Sequence, residues 1–304
     1  MKPLIIVGPT ASGKTALALW LAEHFSRVDI LVIDSKQVYR HQDIVTGKDL
    51  PSKTSARIFG VDLISPDEDW SVAQGITYAE SIITKAKDSN RFLIIVGGTP
   101  QYLLSVFEQT PTFVIQPDEK LRATLEGQTL TQLQERLQTV DYKRYEQMNN
   151  SDKNNPRRLI RAIEVKASEF AGEMTKQLLL ISDCNWIGLS PVKETLESKI
   201  HSRVLKRIEQ GAIEEYTSLE NKYPNWTKEA KAAIGYKEIG QFLSGELSKE
   251  QLISLWTLHE VQYAKRQMTW WKRERQIVWF DGEDADLKSH VLEHVKDCYN
   301  NIHE

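Results

Sequence analysis

The feature that most constrains this chain is the octapeptide Gly-Pro-Thr-Ala-Ser-Gly-Lys-Thr at residues 8–15. It fits the phosphate-binding pattern G-x-x-x-x-G-K-[ST]. The apolar run at 4–7 predicts a buried parallel strand, and residues 15–25 predict a helix that opens directly from the loop. Free backbone N–H groups and a helix N-terminus would then face an anion. The sequence therefore predicts a diphosphate or triphosphate site, and it leaves open which of the two binds.

Individual residues of this loop suit an anion site. Gly8 and Gly13 let the backbone wrap closely around phosphate oxygens, and Lys14 adds a positive charge. The hydroxyl of Thr15 is a candidate ligand for Mg²⁺. We therefore expect magnesium as the cofactor, with Thr15 as its protein ligand.

Two further apolar runs end in polar residues. Residues 30–33 end at Asp34, and residues 92–96 lead through two glycines to Thr99. Strands that alternate with helices predict a parallel α/β sheet with its ligand site at the carboxyl ends of the strands. We expect Lys14, Asp34 and Thr99 to meet at that edge.

The pattern changes near Pro111. Residues 118–148 are polar and predict two helices, and the Asn-rich stretch 149–156 predicts a turn-rich boundary. Helices dominate again after residue 193. The predicted fold is a P-loop NTPase-like parallel sheet flanked by helices, with a small helical insertion and a helical C-terminal part. The predicted limits are 1–111 and 155–304 for the core and 112–154 for the insertion, with late strands at 186–189 and 277–280.

Composition narrows the class of protein. The 304 residues carry a net charge of −3, so a nucleic-acid partner would have to be held by local basic patches. The two cysteines, Cys184 and Cys298, lack metal-ligand spacing and suit a reducing compartment. No apolar run approaches the ~20 residues that span a bilayer. We expect a cytoplasmic protein with no membrane partner, acting as a monomer.

The residue types at Asp34 and Thr99 indicate which reactions this edge of the sheet could carry out. A carboxylate at a strand end beside a phosphate loop can hold magnesium or water, as in nucleotide hydrolases, or act as a general base. A helix cap is the structural alternative for Asp34. Many ATPases place a metal-binding acid after the strand where this chain has Thr99. The neutral hydroxyl of Thr99 therefore argues against ATP hydrolysis, and it indicates a site that donates a hydrogen bond to an oxygen of the ligand.

Six motifs occur in one order along the chain. They are GPTASGKT at 8–15, DSKQVY at 34–39, VGGT at 96–99, RRLIRAIE at 157–164, AIGYKE at 233–238 and YAKRQMTW at 263–270. The series closely resembles the tRNA dimethylallyltransferases, the bacterial tRNA isopentenyltransferase family. The resemblance implies transfer of a dimethylallyl group from dimethylallyl diphosphate to the exocyclic amine of the adenosine next to the anticodon of tRNA, with release of diphosphate. It names the tRNA anticodon stem-loop and dimethylallyl diphosphate as partners.

The resemblance also implies roles for individual residues. Asp34 would accept a proton from the amine, Thr99 would donate to the bridging oxygen of the diphosphate, and Arg203 would contact the diphosphate. The diphosphate-binding set would be Gly8, Thr10, Ala11, Ser12, Gly13, Lys14 and Thr15. The tRNA-binding set would be Asp34, Ser35, Lys36, Gln37, Thr99, Arg122, Arg157, Arg158, Leu159, Ile160, Arg161, Lys265 and Arg266.

Other readings stay open at this point. The arginines at 157, 158 and 161 have helical spacing and are also typical of a solvated helix face. A related core would serve an adenylate isopentenyltransferase that acts on free AMP or ATP, and a phosphate loop also serves nucleotide kinases and ATPases. A non-catalytic RNA-binding module with a relic phosphate site is a further alternative. The chain departs from the family pattern at Pro100, Val261 and Lys36, and it lacks a His-His pair in 59–64.

Overall fold

The predicted parallel sheet is present and has six strands in the described part of the chain. The computed structural model describes residues 2–51, 53–108, 115, 117–168 and 179–300. The strands are β1 (Leu4–Val7), β2 (Val28–Val32), β3 (Arg57–Phe59), β4 (Phe92–Gly97), β5 (Asn185–Ser190) and β6 (Val278–Asp281). Their order across the sheet is β3-β2-β4-β1-β5-β6, and every neighbouring pair is parallel. The order places β1, β4 and β2 side by side, so their carboxyl ends meet.

The helices lie before, between and after these strands. In chain order the described helices are α1 (Lys14–Ala22), α2 (Val72–Asp88), α3 (Pro100–Phe107), α4 (Glu119–Glu126), α5 (Leu130–Gln147), α6 (Asn150–Lys153), α7 (Pro156–Ala167), α8 (Lys193–Glu209), α9 (Ala212–Lys222), α10 (Lys228–Lys231), α11 (Tyr236–Leu243), α12 (Lys249–Trp271) and α13 (Leu287–Asn300). Among these residues no helix has the length and apolar character that a membrane span requires.

The strands are apolar because both faces of the sheet are covered. Leu4 and Ile6 of β1 belong to one buried cluster, which α1 and α13 cover. Ile5 and Val7 belong to a second cluster on the opposite face, packed under α2 and α3. Side chains alternate between faces along a strand, so a strand buried on both sides reads as a continuous apolar run.

The chain after β5 adds a helical layer with its own core. Trp256 of α12 is fully buried there with Ile239, Tyr236 and Leu252, which confirms the predicted helical C-terminal part. The strand β3 was not predicted. Its three residues are at most half-buried, so they carry no apolar signature.

A second compact unit runs from Glu108 to Gln177, and the remainder of the chain forms the first. Helices α4 and α5 confirm the two helices predicted at 118–148. Helix α7, which the predicted limits assigned to the core, belongs to the second unit and packs on α5 through Leu159 and Ile163. The predicted boundary at 111/112 lies outside the described residues.

Candidate active site

The three predicted strand-end groups lie at one edge of the sheet. Lys14 follows β1, Asp34 follows β2 and Thr99 follows β4. Because β4 lies between β1 and β2, the loop after each strand faces the same space. The predicted ligand site is therefore placed as parallel-sheet topology requires.

Two adjoining cavities occupy this edge. The phosphate-loop cavity, about 350 Å³, is lined by residues that include Thr10, Ala11, Gly13, Lys14, Thr15, Asp34, Gln37, Lys199 and Arg203. The Thr99 cavity, about 380 Å³, is lined by residues that include Ser35, Lys36, Thr99, Arg207 and Arg266. Asp34, Thr10, Thr46, Arg203 and Tyr263 line both cavities. These shared residues make a common wall.

The phosphate loop has the backbone that its glycines predict. Gly8 (φ +148°) and Gly13 (φ +87°) both have positive φ angles, and Gly13 caps α1 without a side-chain hydrogen bond. A Cβ on Gly8 would lie 2.8 Å from the carbonyl oxygen of Leu189. The first N–H groups of α1 thus keep their capacity to bind an anion. Among the described residues the buried Ser12 hydroxyl has no hydrogen-bond partner, which suits a ligand in the loop.

Lys14 is held inside this loop. Its Nζ donates to the carbonyl oxygen of Pro9 at 2.6 Å. Burial and the nearby charge of Arg203 lower the pKa of Lys14 to about 7, although Asp34 acts in the opposite direction. An anion beside the ammonium would reverse that shift, because a negative charge favours the protonated form.

Arg203 joins the phosphate-loop cavity from α8. Its Nη1 donates to Thr10 Oγ1 at 3.2 Å, and within the described residues its buried Nε has no partner. One turn later, Arg207 forms a buried ion pair with Glu260 at 2.9 Å. Both guanidinium groups pack against Gly47 (φ +68°), where a Cβ would collide with them. A glycine at position 47 therefore leaves room for the two guanidinium groups.

Asp34 has the hydrogen bonds expected of a cap on one of its two carboxylate oxygens. Its Oδ1 accepts the backbone N–H groups of Lys36 at 2.7 Å and Gln37 at 3.3 Å. Both bonds hold the turn after β2, as a cap would. Across the described chain no hydrogen bond reaches Oδ2, so that oxygen remains for a ligand in either cavity.

Thr99 is linked to a helix that is distant in sequence. Its Oγ1 lies 2.6 Å from the hydroxyl of Tyr263, and Gln267 Oε1 accepts the backbone N–H of Thr10 at 2.8 Å. Tyr263 and Gln267 lie four residues apart on α12 and so on the same face of that helix. Neither was a predicted site residue, although both fall in the quoted motif at 263–270. Their spacing was the available signal.

The remaining predicted residues of this unit divide between the cavities and the surface. Lys36 lines the Thr99 cavity but donates to the carbonyl oxygen of Glu229 at 2.6 Å, and burial lowers its pKa. Gln37 donates to the carbonyl oxygens of Thr46 and Gly47 and so fixes their loop. Lys265 pairs with a surface glutamate, Glu197, at 3.0 Å and lines neither cavity.

Two of the family departures have local explanations. Pro100 is the first residue of α3, a position where the missing N–H and fixed φ of proline suit a helix. Val261 is buried beside Leu196, Ile200 and Ala264, so it supports packing between α8 and α12.

The predicted tRNA residues of the second unit are not equivalent. Arg122 and Arg161 both bind the buried carboxylate of Glu164, and Arg158 pairs with Asp152. Hydrogen bonds from the two arginines outweigh the effect of burial and lower the pKa of Glu164. The alternative of a solvated helix face therefore fails for Arg161, which, like Arg122, is a structural partner of Glu164.

The other residues predicted on α7 differ in exposure. Leu159 and Ile160 pack in the core of the second unit, so their side chains are not available to an RNA. Arg157 is exposed. Within the described residues it forms no ion pair, unlike Arg158 and Arg161.

Known proteins resemble this chain over almost its whole length. The family model for IPP transferase matches residues 37–274. A tRNA dimethylallyltransferase from Trichormus variabilis is 35% identical over 302 residues, covering 97% of this chain and 99% of the relative. One from Bacillus cereus is 33% identical over 311 residues, covering 97% and 94%.

Solved structures are similar to this chain in fold as well. The tRNA isopentenylpyrophosphate transferase from Bacillus halodurans superposes with a TM-score of 0.71 at 29% identity, covering 100% of this chain and 99% of that one. A eukaryotic dimethylallyltransferase acting on tRNA shares the fold, with a TM-score of 0.79 at 23% identity, over 99% of this chain and 80% of that one. The resemblance seen in the motifs is confirmed, and the chain belongs to the IPP transferase family.

Proposed function

We propose that this chain transfers a dimethylallyl group from dimethylallyl diphosphate to the exocyclic amine of the adenosine next to the anticodon of tRNA. The relatives of this chain are named for this activity, and the similarity extends over nearly their whole length. The observation that carries the proposal is the position of Asp34. Its carboxylate lies in the wall between the phosphate-loop cavity and the Thr99 cavity, where a donor and an acceptor would meet.

The phosphate-loop cavity would hold the diphosphate of the donor. Loop N–H groups, Lys14 and Arg203 all direct positive charge into it. When the allylic C–O bond breaks, its electron pair goes to the bridging oxygen of the diphosphate. Positive groups placed before the reaction stabilise that developing charge at no reorganisation cost.

The acceptor would enter the Thr99 cavity. Its amine nitrogen forms the new bond to the allylic carbon, and the proton that it loses goes to Asp34. Oδ2 suits this role because Oδ1 is occupied by the turn. The Thr99 hydroxyl would donate to the bridging oxygen as that oxygen leaves.

Magnesium fits the oxygen donors of this site. Thr15 lines the phosphate-loop cavity, and its hydroxyl is the oxygen donor that it offers. Within the described chain no cluster of three or more His, Cys, Asp or Glu residues forms a ready-made cage. Mg²⁺ commonly takes few protein ligands and completes its shell with phosphate oxygens and water, so Thr15 with a bound diphosphate would suffice. The ion would neutralise charge on the leaving diphosphate.

In the first unit, Ser35, Lys36 and Arg266 line the Thr99 cavity and are proposed contacts of the RNA. In the second unit, taken by itself, Arg157 offers an exposed charge. A base that reacts in such a cavity must leave its stack, which costs least in a single-stranded loop. We propose the anticodon stem-loop as the partner, and a monomeric cytoplasmic enzyme as the working form.

Labelled dimethylallyl diphosphate tests the proposal directly. The chain is incubated with magnesium and either unmodified tRNA or AMP, and we expect label in tRNA. Label in AMP alone would identify an adenylate isopentenyltransferase. Rapid ATP hydrolysis without prenyl transfer would identify an ATPase.

Asp34→Asn tests the base. Asparagine keeps an oxygen that can hold the turn but accepts no proton at neutral pH. We expect single-turnover transfer to fall by ~10²–10⁴-fold with little change in tRNA binding. Asp43→Asn, which neutralises a carboxylate that is 59% exposed, is the matched control. An Asp34→Asn rate within about threefold of wild type would remove Asp34 from the mechanism, given the ~10²-fold minimum expected of a base.

A further inference from the structure

We propose that Tyr263 and Gln267 are positioning residues that fix the Thr99 hydroxyl as a hydrogen-bond donor toward the leaving oxygen of the diphosphate. The inference rests on the proposed prenyl transfer. It assigns to two residues of α12 a task that they perform through Thr99.

The two side chains join the phosphate loop to Thr99. The backbone N–H of Thr10 donates to Gln267 Oε1 at 2.8 Å. The Gln267 side chain is hydrogen-bonded to Tyr263, whose hydroxyl lies 2.6 Å from Thr99 Oγ1. The result is one continuous chain of hydrogen bonds from the loop after β1 to the turn after β4.

The donor and acceptor in each of these hydrogen bonds follow from the first donor, the backbone N–H of Thr10. A backbone N–H can only donate, so Gln267 must turn its oxygen toward Thr10. Its NH₂ group is then the part that faces Tyr263, and the phenolic oxygen accepts from it. Within the described residues Thr99 Oγ1 is the acceptor that remains within reach of the Tyr263 hydroxyl, so we infer that the phenolic proton bonds it. Thr99 is thereby an acceptor from Tyr263, and its own proton is free to point into the cavity.

The surroundings preserve this arrangement. Gly98 lets the amide approach, since a Cβ there would lie 2.8 Å from Gln267 Nε2. One turn farther along α12, Trp271 Nε1 donates to the carbonyl oxygen of Gly98 at 3.2 Å, which holds the turn that carries Thr99. Burial also raises the pKa of Tyr263 to about 12, so the phenol keeps its proton at neutral pH.

A fixed donor direction matters for the chemistry. A free threonine hydroxyl can rotate and bond to several acceptors. Held by Tyr263, it has one proton and one open direction, toward the position where charge develops. Donors that are oriented before the reaction are the ones that stabilise a transition state most. Successive bonds in such a chain also polarise one another.

Tyr263→Phe is the main test, because it removes the hydroxyl and keeps the ring. We expect single-turnover transfer from dimethylallyl diphosphate to tRNA to fall about tenfold or more, and the Kd for dimethylallyl diphosphate to change less than about threefold. Tyr216→Phe removes another tyrosine hydroxyl, one bonded to Glu220 and outside both cavities, and should leave the rate unchanged. Melting temperatures of both variants verify folding. Should Tyr263→Phe fail to fold, Gln267→Met removes the group that donates to Tyr263. Because this variant also frees the Thr10 N–H, it is compared by the transfer rate at saturating dimethylallyl diphosphate alone, with the same tenfold loss expected.

A double-mutant cycle separates positioning from packing. In a Thr99→Ala background there is no hydroxyl to orient, so adding Tyr263→Phe should cost less than about twofold. Equal losses from Tyr263→Phe with and without Thr99 would overturn the inference, as would a single variant that keeps more than half of the wild-type rate. In both cases the wild-type enzyme still transfers the prenyl group, so the proposed function is unaffected. Absence of transfer by wild type would instead remove the proposed function, and this inference with it.

Discussion

Binding of the prenyl diphosphate should take up a proton on Lys14. Burial and Arg203 lower the pKa of Lys14 from 10.5 to about 7. At pH 8 such a group is only about one-tenth protonated. Phosphate oxygens beside the ammonium restore its pKa toward the ordinary value. Binding at pH 8 should therefore take up about 0.9 proton, and affinity should fall as pH rises above about 7, since the neutral amine must be reprotonated.

Calorimetry measures this uptake. Dimethylallyl diphosphate is titrated into the protein with magnesium at pH 8 in buffers of different ionisation enthalpy, and the slope of observed enthalpy against that quantity counts protons. The terminal phosphate of the ligand has a pKa near that of a phosphate monoester, about 6, so it contributes little at pH 8. Lys14→Arg is the matched control, because arginine keeps its charge throughout this range. An uptake in wild type no larger than in Lys14→Arg would refute the reasoning.

Three other substitutions test separate parts of the structure. Gly47→Ala should displace the two arginines that pack against this glycine, lowering kcat/KM for dimethylallyl diphosphate by about tenfold or more, and wild-type kinetics would contradict the steric argument. Arg157→Gln should reduce the salt dependence of tRNA binding by about one unit of slope at unchanged melting temperature. Arg161→Gln should instead lower unfolding free energy by about 1–3 kcal/mol, because it removes a partner of a buried carboxylate; denaturant titration of both variants checks the contrast.

The glycine-rich loop and its place in the sheet could be predicted because their signals are local. Eight consecutive residues specify the loop, and the apolar runs on strands β1, β2 and β4 specify a sheet buried on both faces. Parallel topology then brings Asp34 and Thr99 to the same edge without further information. The edge strand β3 escaped prediction because a short, half-exposed strand needs no apolar run.

The roles of several arginines could not be predicted, because they depend on contacts distant in sequence. Arg122 lies 42 residues before Glu164, and only the packing of α4 on α7 reveals that this carboxylate is buried between arginines. The same packing explains why the predicted limit at 154 falls short of the limit of the second unit, since α7 supplies part of that unit's core. A charge pattern by itself does not distinguish an RNA-facing arginine from one that neutralises a buried acid.

The phosphate loop is also the part of the site that says least about the reaction, because the same loop serves kinases and ATPases. The discriminating feature is at the next strand end, where Thr99 stands in place of a metal-binding acid. A lone threonine there is weak evidence, since its hydroxyl could serve any oxygen. Its contact with Tyr263 on α12 changes that, because a hydroxyl held from one side is committed to donating on the other. The position of Thr99 beside the phosphate loop therefore depends on contacts from α12, through Tyr263 and Trp271, as well as on the turn after β4.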